Sequence, residues 1–144
     1  MSETNSGITV EQVDGIVTIQ LNRSKVLNAI DRRMLDQLDT EVSRLHQDTS
    51  VRVVILTGSG NRSFCVGADL NHIATLTSES IQKWVIDGNR MLSRLAALPV
   101  PVIAAINGYA IGGGLEVALA CDLRIADETS SFGLPEITHG WFPG

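Results

Sequence analysis

A glycine-rich turn at residues 107–116 has the composition and spacing of a site for negative charge. It follows an apolar run, Val100 to Ile106, and leads into an apolar segment that begins at Leu115. A strand, a glycine-rich turn and a helix N-terminus together present backbone N–H groups to one point. Such groups stabilise either a phosphate or an oxygen that becomes anionic during a reaction.

Glu116 and Glu136 form a candidate acid–base pair next to this turn. Glu116 follows the three glycines 112–114, and Glu136 follows Pro135, so each lies after residues that restrict the backbone. Two carboxylates near an apolar site have their pKa values pushed apart, which suits one to donate a proton and the other to accept one. The spacing alone does not show that they converge. A structural role for each, such as a favourable charge at a helix N-terminus, is the alternative.

The other polar residues predict neither a metal site nor a nucleotide site. The triple glycine matches neither the Walker pattern nor G-x-G-x-x-G, and no G-x-S-x-G elbow is present. Cys65 and Cys121 lack metal-ligand spacing and are expected to be reduced and buried. We expect His46 at the end of a helix, His72 in a solvated loop, and His139 exposed or lining a pocket.

Composition narrows the class of protein. The 144 residues suffice for one domain, and 44% hydrophobic with 19% charged residues is typical of a globular chain. The net charge of −5, without a stretch rich in Lys or Arg, argues against nucleic acid as a partner. No apolar run approaches the ~20 residues of a membrane span, and residues 1–7 resemble no targeting signal. A cytoplasmic protein without membrane association is therefore expected.

Strands and helices alternate along the chain, which predicts an α/β fold with a largely parallel sheet. Alternating runs predict strands at Ile8–Val13 and Ile16–Leu21, apolar runs predict buried strands at Val53–Thr57 and Val102–Ile106, and a short strand is expected at Asp122–Ala126. Helical spacing predicts helices from the N-cap Asp31 to about His46, from about Ser78 to Leu98, and from Leu115 to near Cys121. Residues 64–70 are expected to form an irregular loop and residues 132–136 a compact loop.

Two loops leave the carboxyl ends of predicted parallel strands, where ligand sites of such sheets lie. They comprise residues 58–70 and 107–114, and both are rich in small residues. Two N–H donors from separate loops that are aimed at one point form an oxyanion hole.

These loops and their flanking residues closely resemble the crotonase (enoyl-CoA hydratase/isomerase) superfamily, and within it enoyl-CoA hydratase. The matching motifs, in order, are Asn22-Arg23 with Leu27-Asn28-Ala29, residues 64–70, residues 107–116, and Cys121-Asp122 with residues 132–136. The resemblance implies repeated β-β-α units wound into a spiral (superhelix), usually assembled as a trimer or a dimer of trimers. It also implies that residues 1–144 form a single catalytic core, truncated at the C-terminus and lacking the C-terminal helical trimerisation region.

The resemblance assigns roles to individual residues. The N–H groups of Ala68 and Gly113 would form the oxyanion hole, Glu116 and Glu136 would be the two hydratase glutamates, and the N–H of Gly144 would help to place the water. Lys25 to Leu27 and the Val66 backbone would face coenzyme A. The full set of substrate-binding residues that the resemblance implies is Lys25, Val26, Leu27, Ala29, Val66, Gly67, Asp69, Leu70, Tyr109, Gly112 and Pro135. Ser24 and Val66 depart from the residues usual in the family.

The implied ligand is an acyl-CoA thioester, and the implied reaction is hydration of a 2-trans-enoyl-CoA to a 3-hydroxyacyl-CoA. Coenzyme A is part of the substrate, so no separate cofactor and no metal is expected. Two alternatives stay open: an enoyl-CoA isomerase that uses Glu136 alone, and an inactive crotonase-like fragment that only folds or associates.

Overall fold

The computed structural model describes residues 7–143, apart from the side chain of His139, and contains two sheets. The larger sheet has the order β1-β2-β3-β5-β7, in which β1 and β2 are antiparallel and the other neighbours parallel. Its strands are β1 (Ile8–Val13), β2 (Ile16–Leu21), β3 (Val53–Gly58), β5 (Val102–Ile106) and β7 (Leu123–Ala126). The smaller, parallel sheet consists of β4 (Ser63–Cys65), β6 (Tyr109–Ile111) and β8 (Phe132–Gly133).

In the described part of the chain, four α-helices accompany these sheets: α1 (Arg32–Leu45), α2 (Leu70–Ile73), α3 (Ser78–Ala96) and α4 (Gly113–Leu119). Short 3₁₀ turns occupy Ser24–Val26 and Pro135–His139. The predicted N-cap of α1 is confirmed, because the Asp31 carboxylate accepts a hydrogen bond of 2.9 Å from the N–H of Met34. None of the helices in the described range 7–143 is long and apolar enough to cross a membrane.

The predicted spiral of β-β-α units is confirmed. Each parallel strand β3, β5 and β7 of the larger sheet is followed by a short strand of the smaller sheet, β4, β6 and β8 respectively. Helices α2 and α3 follow β4, and α4 follows β6. The chain therefore repeats one unit while it advances along both sheets in the same direction, as parallel pairing requires.

The core lies between α1 and the larger sheet. Alternate residues of β3, Val54 and Leu56, are almost fully buried against it, whereas the opposite face of this strand is only half-buried. The β-branched run of β3 is thus fully buried on one face only. Burying each such aliphatic side chain stabilises the fold by about 1.5–3 kcal/mol. The buried residues of α1 are Met34, Leu35, Leu38, Val42 and Leu45, in helical spacing.

Several short elements were not predicted. Residues 64–70 are not irregular throughout, because they contain most of β4 and the start of α2. The expected loop at 132–136 likewise contains β8 and the start of a 3₁₀ turn. The prediction that His72 lies in a solvated loop is wrong: it is a half-buried residue of α2, and its ring packs 5.2 Å from that of Trp84. Strands of two or three residues are too short for a periodic apolar signal.

Candidate active site

A cavity of about 590 Å³ separates the glycine-rich turn from α3. One wall consists of the backbone at residues 66–68 and 112–113 together with Glu116 and Glu136. The opposite wall consists of side chains from α2 and α3, mainly aliphatic and aromatic: Leu70, Ile73, Ile81, Trp84, Val85, Met91 and Leu92. Polar groups on one side and apolar groups on the other suit a ligand with a reactive polar end and an apolar tail.

Pairing of β6 with β8 brings Glu136 to the glycine-rich turn. Ala110 and Ile111 pair with Phe132 and Gly133, and the N–H of Gly112 donates a 2.8 Å hydrogen bond to the Gly133 carbonyl. The 3₁₀ turn that carries Glu136 begins two residues later. Its carboxylate therefore lies at the start of α4, which also carries Glu116.

Gly112 makes this approach possible. Its φ of +54° is in the left-handed region, and a Cβ built there would lie only 2.7 Å from Oε1 of Glu136. Any other residue would strain the backbone and displace the carboxylate. Local geometry therefore explains why glycine occupies position 112, and no phosphate ligand is needed to explain it.

The second oxygen of Glu136 is buried and unpaired. Within the described chain, Oε2 of Glu136 has no hydrogen-bond partner. A buried polar atom without a partner is costly, and its place in a cavity wall leaves this oxygen able to bond with a bound molecule. Glu116 is half-buried and lines the same cavity from the first turn of α4.

Two backbone N–H groups meet beside these carboxylates. Ile30 forms a parallel bridge with Ala68. The N–H of Ile30 donates a 2.7 Å hydrogen bond to the Gly67 carbonyl, and the Ile30 carbonyl accepts a 2.8 Å hydrogen bond from the N–H of Asp69. In that pattern the N–H of Ala68 points away from Ile30. Gly113 is the first residue of α4, so its N–H has no acceptor four residues earlier in the helix.

Gly67 brings the two loops into contact. Its φ is +85°, and a Cβ at this position would lie 2.8 Å from the N of Gly113. A Cβ at Gly113 would in turn lie 3.9 Å from the N of Ala68. The two amides are therefore close neighbours on the cavity wall, which is the arrangement that an oxyanion hole requires.

The model of the enoyl-CoA hydratase/isomerase family matches residues 11–144 of the sequence. The chain belongs to this family. A short-chain-enoyl-CoA hydratase of Clostridium acetobutylicum is 39% identical over 139 residues, which cover 96% of this chain and 53% of that protein. A 2,3-dehydroadipyl-CoA hydratase of Escherichia coli is 41% identical and is covered to the same extents, 96% and 53%.

A solved structure confirms the crotonase fold. The crystal structure of an enoyl-CoA hydratase from Bacillus anthracis matches with a TM-score of 0.92 and 41% identity, over 96% of this chain and 54% of that one. The chain thus spans about half the length of the relatives that it matches.

The cavity wall brings together many of the residues that the family resemblance singled out. Those in the wall are Val66, Gly67, Ala68, Leu70, Gly112, Gly113, Glu116, Pro135 and Glu136. Six others lie outside it: Lys25 and Val26 are exposed, Leu27 is half-buried, Ala29 and Asp69 are buried, and Tyr109 is exposed on β6. Gly144 and the side chain of His139 lie outside the described residues.

Asp69 positions the loop that carries the Ala68 amide. Arg23 donates a 3.0 Å hydrogen bond to Asp69 and a 2.5 Å hydrogen bond to the Ala29 carbonyl. Burial by itself raises the pKa of Asp69, but the hydrogen bonds from Arg23 and from the N–H of Asn71 outweigh it, so this pKa lies below its ordinary value. Asp69 therefore remains ionised and acts as an anchor.

Asn28 is a second anchor that sequence reasoning left without a role. Its side chain is fully buried and bonded at both ends: its NH₂ group donates to the carbonyls of Ser59 and Ser63, and its oxygen accepts from the N–H of Arg23. The amide thereby joins the 22–30 loop to the loop between β3 and β4. The available signal in the sequence was an amide residue between Leu27 and Ala29, in the same short motif as Arg23.

The two cysteines are free and buried, as expected. Burial raises the pKa of each thiol, Cys65 and Cys121, to about 12, so neither is a nucleophile near neutral pH. Within the described residues, no group of three or more His, Cys, Asp or Glu side chains could hold a metal ion.

Proposed function

We propose that this protein is an enoyl-CoA hydratase, which adds water to a 2-trans-enoyl-CoA to form a 3-hydroxyacyl-CoA. The observation that carries the proposal is the meeting of Glu116 and Glu136 on one cavity wall with the N–H groups of Ala68 and Gly113. Family membership supports an acyl-CoA substrate, and the two relatives described above are named for hydration.

The reaction needs negative charge to be stabilised on the thioester oxygen. As the water oxygen bonds to Cβ, the electron pair of the double bond moves toward Cα and the carbonyl, which becomes an enolate. The N–H groups of Ala68 and Gly113 stabilise this oxygen, and one such donor contributes about 3 kcal/mol.

The two carboxyl groups move the protons. Glu116 takes a proton from the attacking water, and Glu136 delivers a proton to Cα as the enolate collapses. The product gains one H and one OH, and proton exchange returns both glutamates to their starting states. Coenzyme A leaves with the product, so no further cofactor is consumed.

The proposal extends to the whole assembly. We assign coenzyme A contacts to the exposed turn at Lys25 and Val26, water placement to Gly144, and a homo-oligomer, trimer or hexamer, to the acting form. The proposed compartment is the cytoplasm.

Hydration of crotonyl-CoA, followed as loss of the absorbance of the conjugated thioester, tests the reaction. We expect Glu116→Gln and Glu136→Gln each to lower kcat by about 10²–10⁴-fold, because each removes a proton-transfer group. The matched control is Glu128→Gln, an exposed glutamate outside the cavity wall, which should keep the wild-type rate.

The two variants also distinguish the isomerase. An isomerase would convert a 3-enoyl-CoA to the 2-enoyl isomer, would lose this activity in Glu136→Gln, and would keep it in Glu116→Gln. Full hydratase activity in Glu136→Gln would refute the assignment of that residue.

A further inference from the structure

Gly88 occupies the middle of the 19-residue helix α3 without a local reason for glycine. Glycine is among the least favourable residues in a helix interior. Close packing does not require it, since a Cβ built at Gly88 would have no atom within 4 Å. The space in front of this residue is therefore open.

That open space belongs to the cavity. The residues four and three positions before Gly88, Trp84 and Val85, line the cavity, and so do the residues three and four positions after it, Met91 and Leu92. Positions at these spacings share one face of a helix, so Gly88 lies at the centre of the face that α3 presents to the cavity. This face runs from Ile81 to Leu92, roughly 16 Å at the rise of an α-helix.

We propose that Gly88 determines acyl-group specificity, because the room it leaves receives the distal part of an acyl chain longer than crotonyl. This inference rests on the proposed function. Across the cavity from the carboxylates, α3 presents an apolar wall with a gap at its centre. An extended acyl chain attached to a thioester near Gly113 would bury its methylenes against that wall.

The charge of the wall narrows the substrate class to uncharged acyl groups. Among the described residues that line the cavity there is no Lys or Arg, and the polar side chains are confined to Trp84, Asn89, Glu116, Glu136 and Trp141. A terminal carboxylate on the acyl group would be desolvated without a cation and would lie in a cavity that already holds two carboxyl groups. We therefore expect straight-chain monocarboxylic enoyl thioesters to be preferred.

The test is the ratio of kcat/KM for 2-decenoyl-CoA to that for crotonyl-CoA in wild type and in Gly88→Phe. Each methylene kept out of an apolar site lowers binding about fourfold. The ratio should therefore fall at least about tenfold in Gly88→Phe. The control is Gln82→Phe, on the exposed side of α3 and outside the cavity wall, which should keep the wild-type ratio. Gly88→Leu replaces Gly88→Phe if the aromatic variant does not fold, as judged by circular dichroism.

Three results would overturn the inference: an unchanged ratio in a folded Gly88→Phe, the same fall in Gln82→Phe, or efficient use of 2,3-dehydroadipyl-CoA by wild type. Binding of the saturated thioesters decanoyl-CoA and butyryl-CoA, measured by calorimetry, separates specificity from catalysis. If no enoyl-CoA is hydrated but decanoyl-CoA binds more tightly and Gly88→Phe removes the preference, the proposed function fails while the specificity inference stands. Absence of any acyl-CoA binding overturns both.

Discussion

Asp87 shows how one buried charge holds the cavity wall in place. Its side chain is only 4% exposed and accepts hydrogen bonds from Lys83 at 2.8 Å and from Arg32 of α1 at 2.6 Å, with Arg90 3.0 Å away. The hydrogen bonds from Lys83 and Arg32 lower the pKa of Asp87 to about 2, against the opposing effect of burial. Because Asp87 adjoins Gly88, this cluster ties α3, which lines the cavity, to α1.

Replacement of Asp87 by Asn should destabilise the protein in a pH-dependent way. The folded pKa is below the ordinary value near 3.9, so the carboxylate stabilises the fold fully above about pH 4 and loses this effect as the pH falls toward 2. We expect Asp87→Asn to lower the free energy of unfolding by about 1–3 kcal/mol at pH 7, and the difference to shrink between about pH 4 and pH 2. Urea unfolding at several pH values measures it.

Asp36 provides the matched control, since it also pairs with Arg32 but its side chain is 54% exposed. Asp36→Asn should cost less than about 1 kcal/mol. Equal effects of the two substitutions, or a difference that does not change with pH, would contradict the role given to Asp87.

Sequence patterns indicate Glu116 and Glu136 as a candidate acid–base pair, but they do not show that the two side chains lie close together. Glu116 and Glu136 are separated by twenty residues, and their proximity depends on β6 and β8, which have three and two residues. Pairing between such short strands leaves almost no signal in the sequence. Asp87 was missed for a different reason: an apolar helix stripe predicts that charges face solvent, whereas three cations make this buried carboxylate tolerable.

At the level of elements, the long segments were predictable and the short ones were not. The predicted bounds of strands β1, β2, β3, β5 and β7 agree with the structure within a residue or two, because each is an apolar or alternating run of four to six residues. The turn between β1 and β2, Asp14-Gly15, has positive φ at both residues, as an Asp-Gly hairpin turn favours. Helix α3 is predictable from its spacing, and its residue Val85 is exposed and lines the cavity.

The contact between α4 and β4 positions the Gly113 N–H, to which we assign half of the oxyanion hole. A Cβ at Gly114 would overlap the carbonyl oxygen of Cys65, so the helix rests directly on the strand backbone. Gly114→Ala should push α4 away from β4 and displace the Gly113 N–H from the Ala68 N–H. We expect a loss of about 10²–10³-fold in kcat, comparable to removal of one oxyanion donor, together with a lower free energy of unfolding.

Gly88→Ala introduces the same methyl group in α3. We expect it to raise the free energy of unfolding, whereas Gly114→Ala should lower it. Because the Cβ at position 88 meets open space, the gain in helix propensity should raise the free energy of unfolding by up to about 1 kcal/mol. Thermal unfolding and crotonyl-CoA hydration of both variants are the measurements. A Gly114→Ala protein with wild-type stability and rate would show that α4 does not depend on this contact.

At the scale of the whole described chain, residues 7–143, one side of the spiral is apolar and exposed. All four residues of β7 are exposed, and β7 is an edge strand of the described five-stranded sheet. Nearby in sequence, Phe132, Leu134, Ile137 and Phe142 are exposed as well. An edge strand with unpaired backbone groups and a large apolar surface promote association with another chain. The proposed homo-oligomer therefore has a candidate contact surface, which we define as β7 with Phe132, Leu134 and Ile137.

Sedimentation velocity over a range of protein concentrations tests this surface. We expect the 144-residue chain to self-associate and Ile125→Lys, at the centre of β7, to raise the dissociation constant at least about tenfold, since burying one Ile contributes about 1.5–3 kcal/mol. The matched control is Ile86→Lys on α3, because Ile86 is 63% exposed and Ile125 is 65% exposed. Ile86 lies outside both the cavity wall and the contact surface, so its substitution should leave association unchanged. A wild-type chain that stays monomeric at every concentration, or two lysine variants that dissociate equally, would place the contact elsewhere.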